Sequence, residues 1–126
     1  IVIVLIKKIK KIALITGVTG DIGRSVCASL LEQGYMVLGI SSNKKRQEEL
    51  KKIIKINKNN LILFKCDLSK LNQVEVLCKK IKKHYGTPNI IINNAGIFNF
   101  LLLQQISLKE IDHTFNVNVM APNSIV

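Results

Sequence analysis

Short runs of consecutive apolar residues alternate along this chain with longer stretches whose apolar positions recur every three or four residues. KIALIT (11–16), MVLGIS (36–41), LILFKC (61–66) and NIIIN (89–93) are the short runs. Their near-continuous Ile, Val and Leu content is what strands covered on both faces require. Between them, IGRSVCASLLEQ (22–33) sets Ile22, Val26 and Leu30 on one helical face, with Gly34 just past its end as a stop signal. KKRQEELKKIIKI (44–56) reads as a lysine-coated helix. NQVEVLCKKIKKHY (72–85) places Val74, Leu77, Cys78 and Ile81 at helical spacing, lysines on the other side, and Gly86 beyond. Ser107 and Glu110 form an S-x-x-E capping box, which predicts a further helix from about Leu108 toward Val126. Four alternations of strand and helix, without repeat or internal linker, predict an α/β domain built on a parallel sheet with helices on both faces. With right-handed crossovers this is half, or a little more, of a doubly wound sheet, for which the strand order 3-2-1-4 is expected. The domain is assigned to residues 11–126, and residues 1–10 are read as an N-terminal extension outside the core.

Composition adds limits. A chain of 126 residues suits one domain, and 48% apolar residues make it globular. The net charge of +11 invites a nucleic-acid reading, but nearly all of it is lysine, Arg24 and Arg46 being the only arginines. Arginine dominates base and phosphate recognition, so the lysines are read as solvated faces and no nucleic-acid partner is expected. Cys27, Cys66 and Cys78 are odd in number and lack C-x-x-C spacing, which excludes a disulfide framework and a zinc site. No metal is expected, and free thiols point to a reducing, cytoplasmic setting. The opening IVIVLIKKIKK has an apolar run too short for a membrane span. Its lysines follow that run rather than precede it, unlike a signal peptide, so no membrane association is expected.

The chemistry concentrates where strands give way to helices. ALITGVTGDIGRS (13–25) carries Gly17, Gly20 and Gly23 across the first such turn. A tight turn alone explains three glycines. In a Rossmann-like, doubly wound sheet the same place delivers a dinucleotide pyrophosphate to a helix N-terminus, where missing side chains let the anion approach. CDL (66–68) ends the third strand, NNAG (93–96) ends the fourth, and NVNV (116–119) lies in the last helix.

With TGVTGDIG (16–23), these motifs resemble the short-chain dehydrogenase/reductase family in order, spacing and strand position, over residues 11–126. The overall look is similar to 3-oxoacyl-[acyl-carrier-protein] reductases. The resemblance implies a pyrophosphate turn of Thr16, Gly17, Gly20, Asp21, Ile22 and Gly23. It implies Asp67 as acceptor for the adenine amino group, with Leu68 beside the ring. Asn93, Asn94, Ala95 and Gly96 would stabilise the fourth strand and line the cofactor near its nicotinamide ribose. Asn118 would match the asparagine that supports the catalytic lysine's water chain. Residue by residue, Asp67 also reads as a cap of the following helix, and Asn118 as a helix-kinking polar residue.

Two departures matter. The compact reductases want glycine at Asp21, whereas this turn reads T-G-x-x-G-x-x-G, the spacing of the family's extended epimerases and dehydratases; NNAG favours the compact branch. Asp21 is expected to turn its carboxylate away from the phosphates and cap the helix. The second strand ends in Ser41, Ser42, Asn43, Lys44 and Lys45 without the carboxylate that binds a ribose 2′-hydroxyl. NADP(H) is therefore expected over NAD(H), met by Ser41, Ser42 and Lys44. The family's tyrosine acid/base, four residues before a lysine, has no counterpart, because neither Tyr35 nor Tyr85 begins Y-x-x-x-K. The expectation is the cofactor-binding half of a reductase that works on a small carbonyl or alcohol and forms homo-oligomers. That half is expected to lack the last strands of the sheet and to be inactive alone. The alternatives are a non-catalytic nucleotide-binding remnant of a degraded gene and a relative of the extended-type epimerases and dehydratases.

Overall fold

Every parallel strand must be followed by a crossover, and the sheet here is built that way. The computed structural model describes residues 10–126. Its elements run β1 (Ile12–Thr16), α1 (Asp21–Glu32), β2 (Met36–Ser41), α2 (Lys44–Ile53), β3 (Leu61–Lys65), α3 (Leu71–Tyr85), β4 (Ile90–Asn93), α4 (Leu108–Phe115) and α5 (Ala121–Ile125). The strands pair in parallel in the order β3-β2-β1-β4, as the alternation predicts. Of the expected extension at 1–10, only Lys10 lies within the described residues.

The period-2 geometry of β1 divides the core. Ile12 and Leu14 face one layer with Leu38, Ile40, Val74, Leu77 and Ile81, completed by Val117, Ala121 and Ile125 from the C-terminal helical segment. Ala13 and Ile15 face the other layer with Val18, Cys27, Leu31, Val37 and Leu50. Helices α1 and α2 thus cover one face, and α3 and α5 the other. β1 is buried along its whole length because both its neighbours and both its faces are occupied.

Three local readings need correction. Ile22 is 71% exposed rather than on the buried face of α1, whose buried residues are Gly23, Cys27, Leu30 and Leu31. Helix α2 stops at Ile53 rather than reaching Ile56. There Ile54 turns extended into the core, and Asn57, at φ 52°, donates from Nδ2 to the Leu31 carbonyl at 2.8 Å. The last helix is not uniform: Asn116–Met120 forms a π-helical segment between α4 and α5. Pro122 has no N–H to close the regular bond to the Asn118 carbonyl, and its ring would press on that carbonyl, so the wider turn relieves a clash. No helix among the described residues is long and apolar enough to cross a membrane.

Candidate functional site

The carboxyl ends of β1, β2, β3 and β4 open onto one cleft of about 750 Å³. It lies where the strand order reverses between β1 and β4, the position at which open α/β sheets receive ligands.

The turn after β1 is held from below by Thr16 and Asn94. The buried Thr16 hydroxyl accepts the N–H groups of Asn94 at 3.1 Å and Ala95 at 3.0 Å. Asn94 returns Nδ2 to the carbonyls of Thr16 at 3.3 Å and Gly17 at 3.1 Å. The first and fourth strand ends are thereby tied together beyond their ladder. The three glycines then serve different ends. Gly17 has φ +65°, and a Cβ there would lie 2.9 Å from the Ala95 Cα. At Gly23 a Cβ would fall 2.2 Å from the Gly17 oxygen, so this glycine lets α1 pack on the turn. A Cβ at Gly20 would meet only the Gly17 oxygen, at 3.4 Å, an ordinary contact. Gly20 lines the cleft and is the N-cap of α1, with no side chain capping the helix. The first backbone bond onto this helix end is Arg24 N–H to the Gly20 carbonyl. The N–H groups of Asp21, Ile22 and Gly23 are therefore free of intrahelical acceptors.

Asp21 lines the cleft at the start of α1 and does not cap that helix. Its carboxylate pairs with Arg24 at 2.6 Å and is almost fully exposed. The β2 end is more closely knit than its sequence suggests. Ser41 is buried, its Oγ sharing a 2.9 Å hydrogen bond with the Thr19 hydroxyl and accepting the Asn43 N–H at 3.2 Å. Lys44 is not brought to the cleft, because it runs along α2 to Glu48 at 3.4 Å. Ser42, Asn43 and Arg46 line the cleft instead, Arg46 in the first turn of α2, where Asn43 caps it.

At the β3 end, Asp67 Oδ1 accepts the Ser69 N–H at 3.0 Å and the Ser69 hydroxyl at 2.7 Å. These bonds, the hydroxyl first, hold its carboxyl below the usual aspartate value against a smaller opposing effect of burial. Asp67 is thus the organiser of its own turn; Lys70 is the N-cap of α3. Asp67 Oδ2 takes no hydrogen bond among the described residues. Leu68 and Cys66 line the cleft beside it.

At the β4 end, Asn94, Ala95 and Gly96 line the cleft with Ile97, whereas Asn93 closes the β1 register opposite Thr16 and lies outside it. Asn118 clamps this loop: Oδ1 accepts the Ile97 N–H at 2.8 Å and Nδ2 donates to the Ile97 carbonyl at 2.7 Å. His113 and Val117 complete the wall from the C-terminal helical segment.

Thr19, Ile40, Asn43, Arg46, Cys66, Ile97, His113 and Val117 line the cleft without having been expected as site residues. Arg46 carried one available signal, being one of two arginines in a lysine-rich chain and lying a single turn beyond β2. Among the described residues, no cluster of His, Cys, Asp and Glu is arranged for a metal.

A family model described as short chain dehydrogenase matches residues 11–126. The chain is 28% identical over 113 residues to the 3-oxoacyl-[acyl-carrier-protein] reductase FabG of Staphylococcus aureus, covering 89% of this chain and 46% of that protein. It is 30% identical over 105 residues to the (-)-isopiperitenone reductase of Mentha piperita, covering 80% and 33% respectively. A short-chain dehydrogenase from Streptomyces avermitilis superposes with a TM-score of 0.82 at 18% identity, over 94% of this chain and 43% of that one. ElxO with NADP bound gives a TM-score of 0.80 at 26% identity, over 92% and 47%. The chain spans less than half the length of each of these proteins.

Proposed function

The chain belongs to the short-chain dehydrogenase family, and from that premise we propose that its cleft holds NADP(H) and orients it for hydride transfer with a small carbonyl or alcohol. The observation that carries this reading is the cleft itself, which unites the glycine turn, the ends of β2 and β3, and the loop after β4.

The residues fit such a ligand. The free N–H groups at the start of α1, with Gly20 leaving open space above them, suit a pyrophosphate. Asp67 has an oxygen left for the adenine amino group, and Leu68 and Val117 supply apolar surface for the ring. Ser42 and Arg46 are placed to take a ribose 2′-phosphate, with no carboxylate on the β2–α2 turn to repel it. Arginine meets phosphate with paired donors, so Arg46 replaces Lys44 in this role. Ala95, Gly96 and Ile97 border the nicotinamide end. Asn118 holds that loop through Ile97, acting by position. The bound cofactor supplies the hydride.

A 3-oxoacyl thioester is the substrate class favoured by the likeness to FabG. The free thiols of Cys27, Cys66 and Cys78 accord with a reducing, cytoplasmic setting. A homo-oligomer is the assembly we attach to this reading.

Titration of the chain with NADPH and NADH, alongside Arg46→Glu, tests it. The chain should prefer NADPH, and the substitution should lower the preference by about ten- to a hundredfold, through lost charge-assisted bonds and added repulsion. An unchanged preference would remove Arg46 from the 2′-phosphate contact, and equal affinities of the unsubstituted chain for the two dinucleotides would remove the 2′-phosphate itself. Binding of neither dinucleotide would overturn the account as a whole.

A further inference from the structure

Helix α2 buries only two residues, Gln47 and Leu50, and Gln47 is completely buried. Its Nε2 donates to the Ser41 carbonyl at 2.9 Å and to the Phe64 carbonyl at 2.9 Å. Both acceptors are backbone carbonyls, so the amide orientation is fixed by the bonds it makes. Its Oε1 is buried and accepts no hydrogen bond among the described residues.

An apolar side chain of similar size would fill this space without stranding an acceptor, so packing does not account for a carboxamide here. The two donations do. They span the fork at which β2 and β3 part. Up to that point the strands are joined by their ladder, ending at Ser41 opposite Lys65, and by the Cys66 N–H on the Ser41 carbonyl at 3.2 Å. Beyond it, one branch leads to Ser42 and Arg46, and the other to Asp67 and Leu68, all lining the cleft. Gln47 also sits next to Arg46 on α2, so the same bonds seat the first turn of that helix against the sheet.

We propose that Gln47 is a positioning residue for the cofactor cleft: by bridging the last carbonyl of β2, at Ser41, and the Phe64 carbonyl, one residue before the end of β3, it holds the phosphate-facing turn and the adenine-facing turn at a set distance. It touches no ligand and takes no part in the chemistry. This rests on the dinucleotide reading given above, and it concerns the adenosine half alone.

The test is Gln47→Met, which keeps side-chain length and removes the donors, in the full chain. Calorimetric titrations would use NADPH, adenosine 2′,5′-bisphosphate and reduced nicotinamide mononucleotide, with a thermal melt of each protein. The variant loses two donations and one stranded acceptor while keeping its packing volume, so it should melt within a few degrees of the unsubstituted chain. It should bind NADPH and the bisphosphate about tenfold more weakly, while its affinity for the mononucleotide stays unchanged. A stability defect alone would not separate the two halves in this way. Gln47→Glu, which sets a carboxylate against the two carbonyls, should weaken bisphosphate binding at least as much. Bisphosphate binding within twofold of the unsubstituted chain would overturn the proposal and leave Gln47 a core residue. So would an equal loss for all three ligands. If Gln47→Met does not fold, Gln47→Leu is read in the same way, and failure of both overturns the positioning role in favour of a requirement of the fold. An unsubstituted chain that binds neither NADPH nor the bisphosphate fails the dinucleotide reading first, and this inference with it.

Discussion

Replacing Gly20 and Gly23 separately by alanine distinguishes a turn that merely reverses the chain from one that receives an anion. At Gly23 the new methyl would sit 2.2 Å from the Gly17 oxygen and 2.9 Å from Asn94 Nδ2. The helix must lift or the turn must open. Such overpacking costs about 1–3 kcal/mol, and alanine's better helix propensity returns about 1 kcal/mol. The overlap with a backbone oxygen puts Gly23→Ala toward the upper end, for a net loss of about 1–2 kcal/mol, or roughly 3–8 °C in Tm. At Gly20 the backbone has φ −76° and ψ 169°, which alanine adopts freely, and the methyl meets the Gly17 oxygen at 3.4 Å. The loss is then only that of a weaker N-cap, below about 1 kcal/mol. Yet Gly20 lines the cleft, and a methyl there would take up open space beside the start of α1. Gly20→Ala is expected to keep the melting temperature within about 3 °C while weakening NADPH binding by at least about tenfold. Gly23→Ala is expected to lose both. Gly17→Ala is not a clean test of binding, because φ +65° and the 2.9 Å approach to Ala95 strain the fold itself. Thermal melts and NADPH fluorescence titration read the two effects independently. A well-folded Gly20→Ala variant that binds NADPH like the parent would refute the placement of phosphate over this turn.

Three further outcomes follow from individual contacts. Thr16→Val removes the acceptor for two backbone N–H groups at almost constant volume, and should cost about 2 kcal/mol in denaturant unfolding, with Thr16→Ser restoring most of it. Asp67 has a carboxyl held below its ordinary 3.8 by the Ser69 hydroxyl and then the Ser69 N–H, so its contribution to stability is present above that value and lost as pH falls through the lower folded value. The Tm deficit of Asp67→Ala should therefore be constant near neutrality and shrink below about pH 4; a deficit independent of pH would contradict the Asp67–Ser69 contact. Burial pushes the Cys27 thiol up to about 11, and burial also raises that of the more accessible Cys78. Iodoacetamide at mildly alkaline pH should label Cys78 before Cys27 by peptide mass spectrometry, Cys27 reacting only as the chain unfolds; equal rates in the folded chain would show that the α1 face is open.

The fold was legible because a buried parallel sheet leaves an almost uninterrupted apolar record at each strand, and KIALIT and MVLGIS are such records. The glycine turn, Asp67 and the NNAG segment were legible as positions, since strand ends bring them to one edge of the sheet whatever their side chains do. What was not legible depends on direction and partnership. Helical periodicity places Ile22 with Val26 and Leu30, but cannot say that the first turn of α1 faces a cleft rather than the core. In KKRQEELKKI, Gln47 reads as one more polar surface residue, and only the fork between β2 and β3 explains its burial. Lys44 and Arg46 are two residues apart on a helix, so they point in different directions, and the lysine finds Glu48 while the arginine lines the cleft. The differing needs of Gly17, Gly20 and Gly23 are likewise invisible in a glycine spacing, because they are set by how closely β4 and α1 approach the turn.

Hydrogen–deuterium exchange of the chain with and without saturating NADPH locates the ligand on the backbone. Exchange should slow at the amides of Asp21, Ile22 and Gly23, at Asp67 to Ser69, and at Asn94 to Ile97, with the lysine-rich outer faces of α2 and α3 unchanged. Binding that left those three segments unprotected, or that protected the lysine faces instead, would contradict the placement of the cofactor in the cleft.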